Sequence, residues 1–250
     1  VIQNQDTTNG NTNITLRNFK IDGNDAGNSC DSGNGCYAAI YFKYVSHSTI
    51  ENLWVYDFED DGIRFNYGDG HNIISNSRFE SNGAWGAVHF ENSDRNIVSN
   101  NVFVNNYGRG VYIYSSESNT IISNSFQDNA SGGGGVIEIA EAASKYNVVT
   151  GNAFYSDSRG IKLRSSSHNV VSGNTFYEIG PSGEAGSLYI IDNTSHNLIT
   201  SNQIYHSNGY AGINIVDSNC QNNYLSNNYI SGNWNAGEIR DLGTNTIYAN

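Results

Sequence analysis

Ionisable and aromatic side chains recur at one position of a short motif along the 250-residue sequence. The motif starts at a glycine in most copies and continues with alternating apolar and polar residues, so its polar positions are predicted to face outward. The first outward position, called the outward row below, carries Tyr41, Arg64, His89, Tyr112, Glu138, Lys162, Tyr189 and Asn214. The second outward position carries Lys43, Asn66, Glu91, Tyr114, Ala140, Arg164, Ile191 and Val216. Such a set of side chains could neutralise an anion and move protons.

The residue types of the outward row suit β-elimination or epimerisation of a uronic acid. These reactions require a cation for the substrate carboxylate, a base for the C5 proton, and an acid for the leaving oxygen or the opposite face. Arg64, Lys162 and Arg164 are the candidate cations. His89 and Tyr112 are the candidate base and acid, because both exchange protons when their neighbours shift their pKa values.

Two other functions fit the same residues. Hydrolysis of a glycosidic bond requires two carboxyl groups, roughly 5 Å apart for retention or about 6.5–9.5 Å apart for inversion. The candidate carboxyl groups are Asp60, Asp61, Glu91 and Glu138. The other alternative is a non-catalytic glycan-binding or tailspike-like surface module, in which alanine at His89 or Tyr112 would leave biological activity intact. Ordinary cross-strand ion pairs could also account for the charged positions.

Composition favours a glycan over other partners. The chain has 12 basic and 24 acidic residues and a net charge of −12, which makes nucleic-acid binding unfavourable. No run of 18 apolar residues occurs, so no membrane span is predicted. Aromatic rings stack on sugars, and amides and charged groups bond hydroxyls. The residues predicted to bind substrate are Tyr41, Asn66, Trp85, Tyr114, Arg164 and Tyr189.

A second repeated motif indicates which elements position these side chains. It reads NVVTGNAF from Asn147, NVVSGNTF from Asn169 and NLITSNQI from Asn197, and looser copies start 22 to 28 residues apart along the chain. Coils of this length, with β-branched and aromatic core positions and Asn or Gly corners, are typical of a parallel β-helix. The repeated asparagines are predicted to form ladders between coils. One all-β domain of about nine to ten coils is therefore expected over residues 1–250.

These repeats resemble those of the right-handed parallel β-helix proteins of the pectate-lyase-like superfamily, including its NosD-like branch. The resemblance covers nearly the whole chain from about residue 14. That superfamily contains polysaccharide lyases, uronate epimerases, glycoside hydrolases, phage tailspikes and surface proteins. The Asn-rich sequence is also similar to archaeal disaggregatase-type enzymes, which degrade a uronate-containing cell-surface polysaccharide. Together, the outward row and the resemblance predict an enzyme that cleaves a uronate-containing polysaccharide, with elimination slightly favoured over hydrolysis.

No metal site is predicted with defined ligands. His47, His71, His168 and His196 precede the asparagine corners, which indicates turn residues rather than metal ligands. Oxygen ligands for Ca²⁺ could come from either of two acidic groups, although no strict calcium-loop motif occurs. These groups are Asp22 with Asp25, and Asp57, Glu59, Asp60 and Asp61.

The cysteines and the acidic composition suggest a location. Cys30 and Cys36 lie in a loop rich in Gly and Asn and could pair, which would favour an oxidising compartment. A secreted or cell-surface protein is therefore expected, and the chain is expected to be a piece of a longer one. Homo-oligomers remain open, because trimeric β-helices share this type of core.

Overall fold

The computed structural model describes residues 1–24, 38–68, 70–83, 85–129, 134–180, 186–207 and 210–249. It confirms the predicted right-handed parallel β-helix, and every regular element in these ranges is a strand. Within the same ranges, no helix has the length and apolar character needed to cross a membrane. Cys30, Cys36 and Asp25 lie outside the described residues.

The first sheet carries the outward row. Its ten parallel strands follow one another coil by coil. They are Ile2–Gln3, Ile40–Lys43, Ile63–Asn66, Gly86–Glu91, Arg109–Tyr114, Ile137–Ala140, Ile161–Arg164, Gly186–Ile191, Ala211–Ile215 and Ile239–Asp241.

The second sheet forms the remaining walls of the coils, with two short strands in most coils. Its 17 strands are Thr15–Asp22, Thr49–Tyr56, Ile73–Ser75, Arg78–Glu80, Ile97–Ser99, Val102–Val104, Thr120–Ile122, Ser125–Gln127, Val148–Thr150, Ala153–Tyr155, Val170–Ser172, Thr175–Tyr177, Leu198–Thr200, Gln203–Ser207, Tyr224–Ser226, Tyr229–Gly232 and Ile247–Ala249. A small third pairing joins Asn11–Thr12 to Val45–Ser46.

The apolar residues of the alternating pattern fill the interior of the helix. Because successive coils repeat the same pattern, identical side chains stack on one another. The clearest stack has ring centroids 4.6 to 4.9 Å apart and nearly parallel planes. It consists of the buried residues Phe79, Phe103, Phe126, Phe154 and Phe176.

Buried asparagine ladders connect the coils at their corners, as the repeats predict. In one rung, the Nδ2 group of Asn96 donates to Oδ1 of Asn119 at 3.0 Å, and the backbone N–H of Asn96 donates to the same oxygen at 2.8 Å. The residue before each such asparagine is often left-handed, including His71, His168 and His196, with φ between 56° and 59°. His47, with φ of 54°, precedes Ser48, whose N–H donates to Oδ1 of Asn72. The ladder satisfies backbone groups that a tight corner would otherwise leave unpaired.

One ladder ends on an aspartate. Asn82, Asn106 and Asn129 are joined in sequence, and Asn129 then donates from its backbone N–H and its Nδ2 to Oδ1 of Asp157, at 2.8 and 2.9 Å. Asp157 is fully buried, and its Oδ2 has no hydrogen-bond partner. Burial raises the pKa of Asp157 to about 7. In the preceding coil the equivalent atom is the Nδ2 of Asn129, which donates to the carbonyl of Phe103.

The substitution Asp157→Asn is expected to raise the free energy of unfolding by about 1–3 kcal/mol at neutral pH, because it restores the missing donor. The pKa of Asp157 in the folded protein lies above its ordinary 3.8. The stability that the protonated carboxyl group contributes is therefore fully present below pH 3.8 and is lost as the pH rises through about 7. The advantage of the variant should therefore grow between pH 4 and 7 and then level off. Urea denaturation of both proteins across this range measures it, and an equal gain at every pH would contradict the explanation.

Candidate functional site

The strand register aligns the predicted outward row across eight coils. Each member is paired with the next in the first sheet, including Glu138 and Tyr189, whose preceding loops differ in length. The row runs from Tyr41 through Arg64, His89, Tyr112, Glu138, Lys162 and Tyr189 to Asn214. The alternating pattern and the corner ladders together fix which side chains become neighbours.

A cavity of about 440 Å³ opens over the middle of this row. The imidazole of His89 and the ring of Tyr112 lie in adjacent coils, with centroids 4.9 Å apart. Trp85 is 52% exposed and lies nearly parallel to Tyr112, at a centroid distance of 6.5 Å. The cavity is lined by Arg64, Trp85, His89, Glu91, Tyr112, Tyr114, Glu141 and Arg164.

The His89 imidazole is held by a buried carboxylate. Its Nδ1 lies 3.0 Å from Oδ2 of Asp61, and Oδ1 of Asp61 accepts the backbone N–H of Gly86 at 2.9 Å. Asp61 is fully buried, and Nε2 of His89 is a buried atom without a hydrogen-bond partner. A carboxylate that accepts the proton of one ring nitrogen leaves a lone pair on the other. Asp61, predicted as a catalytic carboxyl group, is thus placed to orient His89.

The carboxylate of Glu138 lies beneath a group of cations. Its oxygens are 2.5 Å from Nε of Arg109, 3.2 Å from Nε of Arg164 and 3.5 Å from Nζ of Lys162. Burial alone would raise the pKa of Glu138, but the charges of Arg109 and Lys162 outweigh it and hold the pKa below its usual value. Glu138, a candidate carboxyl group for hydrolysis, is therefore ionised and anchors these cations.

The phenol of Tyr112 is surrounded by these ion pairs. Arg109 lies over its ring, 4.3 Å from the centroid, and Arg164 lines the same cavity. Burial and the charge of Glu138 raise the pKa of Tyr112, so the hydroxyl keeps its proton. Tyr112 is accordingly placed to act as an acid.

At the N-terminal side of His89, Arg64 makes a close ion pair with Glu91 and lies 3.9 Å from Asp61. Its Nε has no hydrogen-bond partner. Arg64 thus brings a cation to the cavity beside His89. In the same region, burial and the charge of Asp61 raise the pKa of Asp60 to about 6.

Several predicted residues lie outside the cavity lining. Tyr41 is the neighbour of Arg64 in the sheet, Asn66 is buried beside Glu91, and Lys162 lies mostly buried against Glu138. Tyr189 pairs with Lys162 and lies 6.0 Å from the Arg159 guanidinium. Across the described ranges, no group of three or more His, Cys, Asp or Glu side chains is arranged to hold a metal ion.

Two residues of the site were not predicted from the sequence. Arg109 stands immediately before the glycine of its strand, and Glu141 stands just after the strand Ile137–Ala140. Both residues flank the alternating motif, so they are not among its outward positions. The signal that could have identified them is a charged residue at either flank of the motif. Arg109 pairs with Glu138, and Oε1 of Glu141 lies 3.0 Å from Nη1 of Arg164.

Family models match most of the chain. The model described as the right-handed β-helix region matches residues 7–176. The chain belongs to the right-handed β-helix family. The model of the periplasmic copper-binding protein NosD also matches residues 139–250 of this β-helix protein. Among curated proteins, none matches the chain.

Solved structures with this β-helix include several carbohydrate-active enzymes. The Agl-KA catalytic domain aligns with a TM-score of 0.61 and 16% identity over 95% of this chain, which spans about half (46%) of that domain. The A-module of mannuronan C-5 epimerase AlgE6 from Azotobacter vinelandii has a TM-score of 0.60 and 14% identity, over 96% of this chain and 75% of the module. An alginate lyase from Paenibacillus has a TM-score of 0.59 and 15% identity, over 84% and 77%. Structural alignments at identities this low establish the shared fold alone.

Proposed function

We propose that the cavity binds a uronate-containing polysaccharide and cleaves it by β-elimination, with His89 as the base and Tyr112 as the acid. The observation that carries the proposal is the pair itself. An imidazole oriented by Asp61 and a protonated phenol line the same cavity, and their ring centroids are 4.9 Å apart. This arrangement suits a reaction in which both protons are exchanged on one face of the sugar.

In this reaction Nε2 of His89 takes the C5 proton of the uronate. The electron pair of the C5–H bond forms the C4–C5 double bond, and the C4–O bond breaks. The Tyr112 hydroxyl gives its proton to the leaving oxygen, which becomes the new hydroxyl of the departing chain. Each residue exchanges one proton, so the imidazolium and the phenolate return to their starting states by proton exchange with water.

The substrate carboxylate would be neutralised by Arg64 and Arg164, the two arginines that line the cavity. Charge neutralisation makes the C5 proton easier to remove, because negative charge develops on the carboxylate in the transition state. Glu138 and Glu91 hold these arginines in place. Lys162 supports the same network from below rather than by contact with the substrate.

Two proteins that share this fold support the proposed substrate class. They are named as a mannuronan epimerase module and an alginate lyase. The exposed ring of Trp85 and the partly exposed ring of Tyr114 line the cavity and suit the apolar face of a sugar ring. A secreted or periplasmic setting is part of the proposal, supported by the match to a periplasmic protein model.

Hydrolysis remains the second candidate, because a carboxyl group with a raised pKa can act as a general acid. Asp60 has that property, with a pKa of about 6, and Glu91 lines the cavity in the adjacent coil. Elimination is favoured because Glu91 is tied to Arg64, while Asp61 and Glu138 are not among the residues that line the cavity.

Incubation with uronate polymers separates the candidates. Elimination is expected to raise the ultraviolet absorbance of unsaturated uronate in proportion to new reducing ends, while a neutral glucan gives neither signal. Reducing ends without unsaturated product would show hydrolysis and contradict the elimination. Polymer binding without either signal would assign the protein to the non-catalytic binding modules.

A further inference from the structure

A second cavity, of about 540 Å³, lies at the N-terminal end of the first sheet. It opens at the corner that follows the strands Ile40–Lys43 and Ile63–Asn66. Tyr44 and Tyr67 are 39% and 46% exposed there, with ring centroids 5.8 Å apart. Apart from these rings the lining is small and polar, and consists of Asn9, Gly10, Asn11, Thr12 and Ser46.

The loop that forms one wall of this cavity is held by hydrogen bonds. The Nδ2 of Asn4 donates to Oδ1 of Asn11 and to the carbonyl of Lys43, both at 3.0 Å, and its Oδ1 accepts the N–H of Lys43 at 2.9 Å. Asp6 accepts the backbone N–H groups of Thr8 and Asn9. The wall is therefore shaped before any ligand binds, which lowers the entropy cost of binding.

A cation without a counter-ion stands beside the two tyrosines. Nζ of Lys43 lies 5.2 Å from the Tyr44 ring centroid and 5.9 Å from that of Tyr67. In the part of the chain that the structure describes, no carboxylate pairs with Lys43, whereas Arg64 and Arg164 are paired. In a chain of net charge −12, such a cation complements an anionic ligand.

The cation beside this cavity lies on the same sheet as the candidate active site. Lys43, Asn66 and Glu91 are register neighbours in three successive coils, so Lys43 lies about 9 to 10 Å from Glu91 along the helix axis. Asn66 is 8% exposed and its Oδ1 has no hydrogen-bond partner. The N–H of Tyr67 donates to the carbonyl of Glu91 at 3.0 Å.

We propose that Lys43, Tyr44 and Tyr67 form a subsite for a carboxylate-bearing sugar of the same polysaccharide, away from the bond that is cleaved. The polymer then extends from the His89 cavity towards the N-terminal coils. The ammonium group binds the sugar carboxylate, and the tyrosines with the amides of the loop contact its ring and hydroxyls. The direction of the polymer rests on the proposed function, whereas binding at this subsite does not.

Calorimetry with uronate oligosaccharides of defined length tests the subsite in a His89→Ala background, in which turnover is expected to be about 10²–10⁴-fold slower. Lys43→Gln and Tyr67→Ser are each expected to weaken binding of long oligosaccharides about tenfold, and to leave the shortest bound oligosaccharide unaffected. Serine is a suitable replacement because Ser115 and Ser165 occupy the equivalent corner with φ of 49° and 50°.

Tyr155→Ser is the matched control. Tyr155 is 45% exposed and stacks on Tyr177 at 5.5 Å, but this pair lies on the second sheet. Equal losses in the control and in Tyr67→Ser, or unchanged binding by Lys43→Gln, would overturn the subsite. Binding that depends on Lys43 without any cleavage by the unmodified protein would support the subsite and contradict only the elimination. Cleavage by the unmodified protein, together with binding that does not depend on Lys43, would support the elimination and contradict the subsite.

Discussion

Replacing His89 with alanine is expected to lower kcat for a uronate polymer by a factor of about 10²–10⁴, the usual contribution of a positioned general base. The substitution removes the Nε2 lone pair that we assign to the C5 proton, while Arg64, Arg164 and Trp85 remain to bind the polymer. The initial rate of unsaturated uronate formation at saturating polymer measures kcat, and calorimetry measures the dissociation constant. We expect the dissociation constant to change little.

His47→Ala is the matched control for this experiment, because His47 is an exposed corner residue that stacks on His71 away from the cavity. Its activity should equal that of the unmodified protein. Asp61→Asn should also reduce kcat, since an amide cannot hold the imidazole in the same protonation state as a carboxylate does. A His89→Ala variant with unchanged kcat would refute His89 as the base.

The neighbours within the outward row could be predicted from the sequence because two repeated patterns constrain them independently. Alternation fixes which residues face outward, and the buried asparagines fix the register of successive coils. His89 and Tyr112 therefore become adjacent without any information on loops. The same reasoning predicted that the corner histidines are turn residues, and their backbone is left-handed.

The electrostatics of the site could not be predicted in this way. Glu138 occupies an outward position, yet it is fully buried because the side chains around it include Arg109 from a strand flank that the pattern ignores. Asp61 belongs to an Asp-Gly pair that suggests a turn, and only the three-dimensional structure shows it bonded to His89. Burial of a polar side chain depends on how long neighbours fold over it, which a periodic pattern does not encode.

Glu138→Gln is expected to lower the free energy of unfolding by about 3–5 kcal/mol, as is usual when one partner of a buried ion pair is removed. Glutamine keeps the size of the side chain but leaves Arg109, Lys162 and Arg164 without their shared counter-charge. The folded pKa of Glu138 lies below its ordinary 4.5, so its contribution is present above that pH and is lost as the pH falls through the folded value. The difference between the two proteins should therefore be largest near neutral pH.

Urea denaturation at neutral and acidic pH measures this difference, with Glu117→Gln as the control. Glu117 is half-buried and has no ion pair within the described residues, so its substitution should change stability by less than about 0.5 kcal/mol. Glu138→Gln should also lower kcat, because Arg109, which lies over the Tyr112 ring, and Arg164, which lines the cavity, would lose the carboxylate that holds them. A variant as stable as the control would show that the three cations do not depend on Glu138. Full activity of the Glu138→Gln variant would show that the ion pairs of Glu138 do not determine the position of Tyr112, the proposed acid.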